Sequence, residues 1–395
     1  MKNESVAILD IRSREISFSL GAKGVNGTFA FSGSKTEGYE GFVTNGFLDE
    51  SSFRRAVVSA ITSVRQNYEG TISEVYVGVP SAFIKLYTKG HTISFPSKRK
   101  ISEQDVDALF DSGMNDLLAN GRCVRRSAMY FALGDNRKYF SAKDLYGVST
   151  NMLKGALCYY FVSEEFYQTV SALLSNLHFV SVKFIPSTLA QSEYLFAEKK
   201  REGYAFLLDV GFLTSSISVV YGNGIVHEEN FDFGEGTVLV DLMESLGVDF
   251  STAQDILSDA NISGGAVDKD MIWYSEKDNR QIPVRIINDV IKCSLDELCE
   301  RIEVFFITRY KEKPLMNLAS QPISLTGEGV YQMKGMAEHI AKRLNRLTET
   351  VYPDLPYYDK PSFSSQISLL NAATGEVKKN TWFQKIFNGF GGKKK

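Results

Sequence analysis

Leu208-Asp209-Val210-Gly211-Phe212-Leu213-Thr214 decides how this chain is read. The apolar run that starts at Tyr204 ends in a carboxylate, turns over a glycine and resumes as the alternating segment Ser215–Tyr221. Gly222-Asn223-Gly224 then turns the chain back into Ile225–Phe231. The pattern predicts a strand, a tight turn, a returning strand and a hairpin. A matching figure opens the chain: Leu9-Asp10-Ile11-Arg12-Ser13 follows the apolar Val6–Ile8 and leads into Ile16–Leu20. Either aspartate alone reads as a turn cap. As a pair in matching contexts they predict a duplicated α/β fold in which two strand-end turns face each other across a cleft. A polyphosphate can lie between such turns and take backbone N–H donors from both. Asp10 and Asp209 can then hold Mg²⁺ through its water shell.

Other elements extend this frame outward. Phe53, Val57, Val58, Ile61 and Val64 share a helical face after the polar Asp49–Ser52, and Glu74–Val79 is a strand. A second unit begins near Ile84, with a capped helix at Ser102-Glu103-Gln104-Asp105 and strands at Met129–Leu133 and Ala156–Val162. Glu164–Leu177 reads as a helix and Val180–Phe184 as a strand. After the second figure, Val238–Leu246, Thr252–Leu257 and Ile286–Phe306 are helical, and residues 260–283 form a surface excursion. Ile323-Ser324-Leu325 is a short buried strand running into Thr326-Gly327-Glu328-Gly329, and Ser364–Ala373 is the last core helix.

The chain has 395 residues, 44% apolar and 23% charged, which suits a multidomain globular protein. No window nears about 18 uninterrupted apolar residues, so no spanning helix is expected. No signal peptide is expected either. The scattered Cys123, Cys158, Cys293 and Cys299 read as reduced thiols of a cytoplasmic protein, and the four isolated histidines give no zinc pattern. The net charge of −3 argues against nucleic acid as a partner. That charge is unevenly spread. The last eighteen residues hold six lysines and no acid, which leaves the body at −9.

Within that basic end, Trp382, Phe383, Ile386, Phe387 and Phe390 fall on one side of a short helix, with Lys385 opposite. This predicts an amphipathic anchor lying in a membrane interface after a polar linker from Thr374 to Asn380. Burial of such side chains is worth roughly 1.5–3 kcal/mol each, against about 1 kcal/mol per lysine near anionic lipid. The apolar face is therefore expected to dominate.

Together these features resemble the actin-like ATPase superfamily, and within it the bacterial cell-division FtsA family, over nearly the whole chain. Leu9–Ser13 resembles the first phosphate loop and Leu208–Thr214 the second. Leu325–Gly329 ahead of Met333-Lys334-Gly335-Met336 is similar to the adenosine-contacting turn. The resemblance implies ATP or ADP with Mg²⁺ in contact with Asp10, Arg12, Ser13, Asp209, Gly211, Thr214, Gly234, Gly236, Gln254, Gly327, Glu328 and Gly329. It also divides the chain. Residues 1–83 with 164–197 would be subdomain 1A and 84–163 subdomain 1C. Residues 198–236 with 308–374 would be 2A, 237–307 would be 2B, and 375–395 the linker and membrane helix. Implied partners are further copies in a head-to-tail filament, the C-terminal tail of the tubulin-like FtsZ, anionic lipids of the inner membrane, and later division proteins. Asp289 and Glu297 on the 2B helix are candidate partner contacts. The implied location is the cytoplasmic face of the membrane at mid-cell.

This sequence departs from the family pattern at chosen points. Arg12 stands where the first loop usually has glycine, and Phe212 and Leu213 replace glycines of the second. Ser216 and Ser187 stand where acids are usual, Leu257 replaces a lysine, Glu235 a glycine and Ser294 an arginine. Bulk beside a phosphate seat weakens binding, and without a positioned base hydrolysis is expected to be slow or absent. Two rival readings share the fold: a pilus-assembly adaptor of the PilM kind, which has no need of the tail, and a working ATPase or small-molecule kinase.

Overall fold

The computed structural model describes residues 5–24, 26–44, 46–263, 271–275, 279–310 and 321–390; for residues 310 and 378–390 it gives the course of the backbone alone. Strands and helices below are numbered in chain order.

One topology occurs twice. In the first sheet, β1 (Val6–Ile11), β2 (Glu15–Lys23) and β3 (Phe29–Gly38) form an antiparallel meander. β6 (Glu74–Val79) and β11 (Ser181–Pro186) join parallel to β1, giving the order β3-β2-β1-β6-β11. In the second, β12 (Ala205–Val210), β13 (Ser215–Tyr221) and β14 (Gly224–Phe231) form the meander. β17 (Ile323–Thr326) and β18 (Thr348–Thr350) add the parallel edge, giving β14-β13-β12-β17-β18. The registers correspond: Asp10 lies opposite Ser17, and Asp209 opposite Ser216. Val-Ala-Ile-Leu-Asp-Ile in β1 is buried throughout, as suits a central strand covered on both faces.

The connection from β6 to β11 carries a third sheet, β7 (Ile84–Lys100), β10 (Ser149–Val162), β8 (Arg122–Ala132) and β9 (Lys138–Tyr139), antiparallel throughout. Helix α2 (Glu103–Met114) covers it, burying Val106 and Leu109 against Leu153, Leu157, Tyr159 and Phe161. A capping box starts α2, with the Ser102 N–H donating to Asp105 Oδ2 at 2.9 Å. Two small hairpins, β4 (Phe42–Val43) with β5 (Gly46–Phe47) and β15 (Ile272–Tyr274) with β16 (Gln281–Pro283), complete the strands; the latter lies inside the expected surface excursion.

Helices α1 (Glu50–Gln66) and α3 (Glu164–Asn176) cover one face of the first sheet with Phe53, Val57, Ile61, Phe166, Val170 and Leu174. In the second lobe, α6 (Glu235–Leu246), α7 (Phe250–Asp259), α8 (Val284–Tyr310) and α10 (Met336–Arg343) enclose Phe206 and Leu208. Leu257 is part of that core. Helices α5 (Glu198–Glu202) and α9 (Glu328–Gln332) are single turns at the lobe boundary.

The far face of the first sheet corrects two expectations. Helix α11 (Ser364–Phe390) packs there beside α4 (Ser187–Leu195), burying Leu369, Leu370 and Ala373 with Ile8, Tyr76 and Ile185. Residues 365–374 therefore dock on the first lobe, not on the second, with which they were grouped, while Ser364 shares a 2.6 Å hydrogen bond with Thr326 of β17. A Cβ on Gly21 would lie 2.6 Å from Leu370 Cδ2, so the glycine makes room for this docking. The expected linker at Thr374–Asn380 is helical, because Arg125 of β8 pairs with Glu376 and Val377 packs on the same cluster. The side chains of Trp382, Phe383, Lys385, Ile386, Phe387 and Phe390 lie outside the described residues. Among the described residues, no helix is long and apolar enough to cross a membrane.

Candidate nucleotide cleft

The strand ends that carry Asp10 and Asp209 meet in one crevice. The cavity there is about 70 Å³ and is lined by residues of both turns, of α4 and of the start of α11. Both aspartates are held by side chains from flanking helices. Ser365 Oγ donates to Asp10 Oδ1 at 2.6 Å, and Gln191 Nε2 donates to Asp209 Oδ2 at 2.8 Å. Burial raises both carboxyls above their ordinary value; Arg12 and Ser365 partly offset this at Asp10, and Gln191 does so at Asp209.

Arg12 crosses the crevice. Its Nη1 lies 3.2 Å from Glu328 Oε2, its Nη2 2.5 Å from Glu15 Oε1, and its Nε 3.5 Å from Asp10 Oδ2. Tyr39 fixes the turn behind it by donating its hydroxyl to the Arg12 carbonyl at 2.7 Å. Ser13 is buried and accepts two hydrogen bonds on Oγ, from the Phe212 N–H at 3.1 Å and the Leu213 N–H at 2.9 Å. The first amides of α6 are also engaged, Glu235 N–H with the Gly211 carbonyl and Gly236 N–H with that of Phe212. Arg14 lies over the Phe212 ring at 4.1 Å and steadies the loop. Thr44 reinforces the closure with two hydrogen bonds to Asp232, at 2.7 and 2.8 Å.

Of the expected nucleotide contacts, Arg12, Ser13, Asp209, Gly211, Thr214, Gly327 and Glu328 line the cavity directly. Asp10 is buried at its edge. Gly234, Gly236 and Gly329 pack against the second loop, where a Cβ on Gly234 would lie 2.6 Å from the Gly211 carbonyl oxygen. Gln254 is exposed on α7 and is not among the lining residues. Asp289 and Glu297 are both exposed on α8, and Glu297 pairs with Arg301 at 2.5 Å. Gln191, Ser362 and Ser365 were not foreseen. Ser187 and Gln191 are four apart on α4 and share a face, a spacing that signals Gln191; no local pattern singles out Ser362 or Ser365.

The arrangement tests what can be held here. Asp10 Oδ2, Ser187 Oγ, Gln191 Oε1 and Glu328 Oε1 are buried without a hydrogen-bond partner, and the space suits about two waters. A small-molecule site usually offers at least about 300 Å³. Since Ser13 holds the loop amides, a triphosphate does not fit unless Arg12 and Ser13 withdraw. Among the described residues no group of three His, Cys, Asp or Glu side chains is poised for a metal. Asp10 and Asp209 suit a hydrated Mg²⁺ that arrives with a phosphate better than an ion held by protein alone.

Burial pushes the Glu328 carboxyl up to about 7 despite Arg12, and Glu235 up to about 7, from an ordinary 4.5. Both bind their proton more tightly folded than unfolded, so their contribution to stability is full below about pH 4.5 and is lost as pH rises through 7. The expected loss is on the order of 1–3 kcal/mol per carboxyl. Urea unfolding at pH 5 and pH 8 measures the slope, and Glu235→Gln should flatten it.

No family model matches the sequence, and no curated protein matches it. Solved structures do match. A chain of the PilM–PilN type IV pilus biogenesis complex is 11% identical, with a TM-score of 0.62 over 93% of this chain and 98% of that one. MreB5 of Spiroplasma citri bound to ADP is 9% identical, with a TM-score of 0.53 over 96% and 98%. The ethanolamine utilization protein EutJ from Carboxydothermus hydrogenoformans is 10% identical, with a TM-score of 0.52 over 94% and 90%. The chain has a two-lobed actin-like fold.

Proposed function

We propose that the chain is an actin-like interaction protein whose cleft fixes the angle between its lobes, not an enzyme that turns over a substrate. The small cavity of about 70 Å³ carries this reading, because Arg12 and Ser13 fill the space in which a reacting molecule would be positioned. Nucleotide, where it binds, is a structural ligand in this reading. The protein self-associates head to tail, is held on the inner membrane by its terminal segment, tethers FtsZ filaments there and recruits later division proteins. A second reading, a pilus-assembly adaptor, is favoured by the likeness to the PilM–PilN complex.

Two measurements decide. Phosphate release from MgATP should stay near background, and rapid turnover would overturn the interaction reading. Deleting residues 380–395 should abolish co-sedimentation with anionic liposomes and disperse a mid-cell signal in dividing cells. A tail-independent location points to the pilus reading. Because the apolar face dominates, full-length protein should retain part of its liposome binding in raised salt.

A further inference from the structure

We propose that Arg12 and Ser13 act as an internal ligand of the cleft, taking the position of a phosphate chain, so that nucleotide must compete with the protein's own first loop. The inference rests on reading the crevice as a nucleotide-type site, and it adds what now fills that site.

Three observations converge on it. Ser13 Oγ accepts from two consecutive amides, those of Phe212 and Leu213, as one oxygen of an anion does in a backbone nest. It seats closely, since a Cβ on Gly211 would lie 3.1 Å from that oxygen. Arg12 supplies the bridge between the lobes, joining Asp10 and Glu15 of the first to Glu328 of the second. Finally, the amides at the start of α6, the other natural donors to an anion, are turned to the carbonyls of Gly211 and Phe212.

One guanidinium serves several carboxyl groups here. Removing Arg12 leaves Asp10, Glu15, Asp209 and Glu328 uncompensated in one place, which a bare polyphosphate cannot relieve. An entering phosphate chain therefore has to displace Ser13 from the amides and separate Arg12 from Glu328. Binding and loosening of the lobe-to-lobe bridge become one event, and apparent affinity falls by the fraction of molecules in which the loop has let go.

The test compares full-length wild type with Ser13→Ala, Arg12→Gly and the double variant. Calorimetry uses three probes: MgATP, magnesium tripolyphosphate and adenosine. Circular dichroism confirms that each variant is folded. Ser13→Ala frees two amide donors without adding bulk, so it should bind MgATP and magnesium tripolyphosphate at least tenfold more tightly than wild type, whereas Arg12→Gly and the double variant, which leave the carboxylates without their cation, should bind less tightly than Ser13→Ala. Adenosine affinity should stay unchanged. Glu328→Gln, which loosens the same bridge while keeping Arg12, should also tighten binding of both polyphosphates. Equal or weaker binding of MgATP and tripolyphosphate by folded Ser13→Ala would overturn the proposal, as would an equal gain for adenosine. Phosphate release is read separately: rapid turnover sinks the interaction reading without altering the competition, and unchanged affinities sink the competition alone.

Discussion

Replacing Gly327 with alanine should cost about 3 kcal/mol or more of unfolding free energy. Gly327 joins β17 to α9 with φ +105° and ψ 170°, a conformation that only glycine adopts without strain. A Cβ there would lie 2.8 Å from the Val210 nitrogen and press on the Val210 carbonyl and on Asp209 Oδ1. These are mainly backbone atoms of a central strand, so they cannot swing aside. The strain also falls at the cleft, since Asp209 holds Gln191 and Glu328 is the next residue. Urea unfolding should show a clear drop in midpoint with an unchanged slope, and an unchanged midpoint would mean that the turn relaxes without disturbing β12. Gly247→Ala is a useful comparison. It has φ +61° but nothing within 4 Å of its would-be Cβ, so it should lose less.

Phe166→Ala should be comparably severe, at about 3–5 kcal/mol. The ring is fully buried at the first turn of α3 and meets Phe83 at 4.6 Å, Phe47 at 5.9 Å and Phe184 at 6.4 Å between centroids. Phe83 is where the chain leaves the first sheet for β7, so this cluster is the footing of the third sheet. The cavity left by alanine would be walled by other rings, which cannot collapse into it without losing their edge and stacked contacts. Phe166→Leu should recover more than half of the loss. Similar losses for leucine and alanine would show that ring geometry, not volume, holds the junction.

Much of the frame is legible in the sequence because it is written in local patterns. An apolar run closed by aspartate, a glycine turn and an alternating return define β1–β2 and β12–β13, and long-period helices such as α8 declare their buried face. What escaped depends on distant partners. Thr374-Gly375 reads as a break, yet Arg125 on another sheet holds Glu376 and the helix runs on. Ser13 is separated from Leu213 by 200 residues and Arg12 from Glu328 by 316, so no spacing rule could pair them. Arg12 was anticipated as a partner for phosphate; with three carboxylates in reach, the chain supplies its counter-charges itself.

The unbroken course of α11 has a mechanical consequence. Val377 packs on the first lobe, and the helix runs on to Phe390. At 1.5 Å per residue, that stretch is a lever about 20 Å long fixed at its root to the first sheet. A tilt of the sheet by about 10° would sweep the far end through about 3 Å at that length. Small rotations of the lobe would thus be read out at the tip as displacement, and anything gripping the tip would feel the orientation of the body.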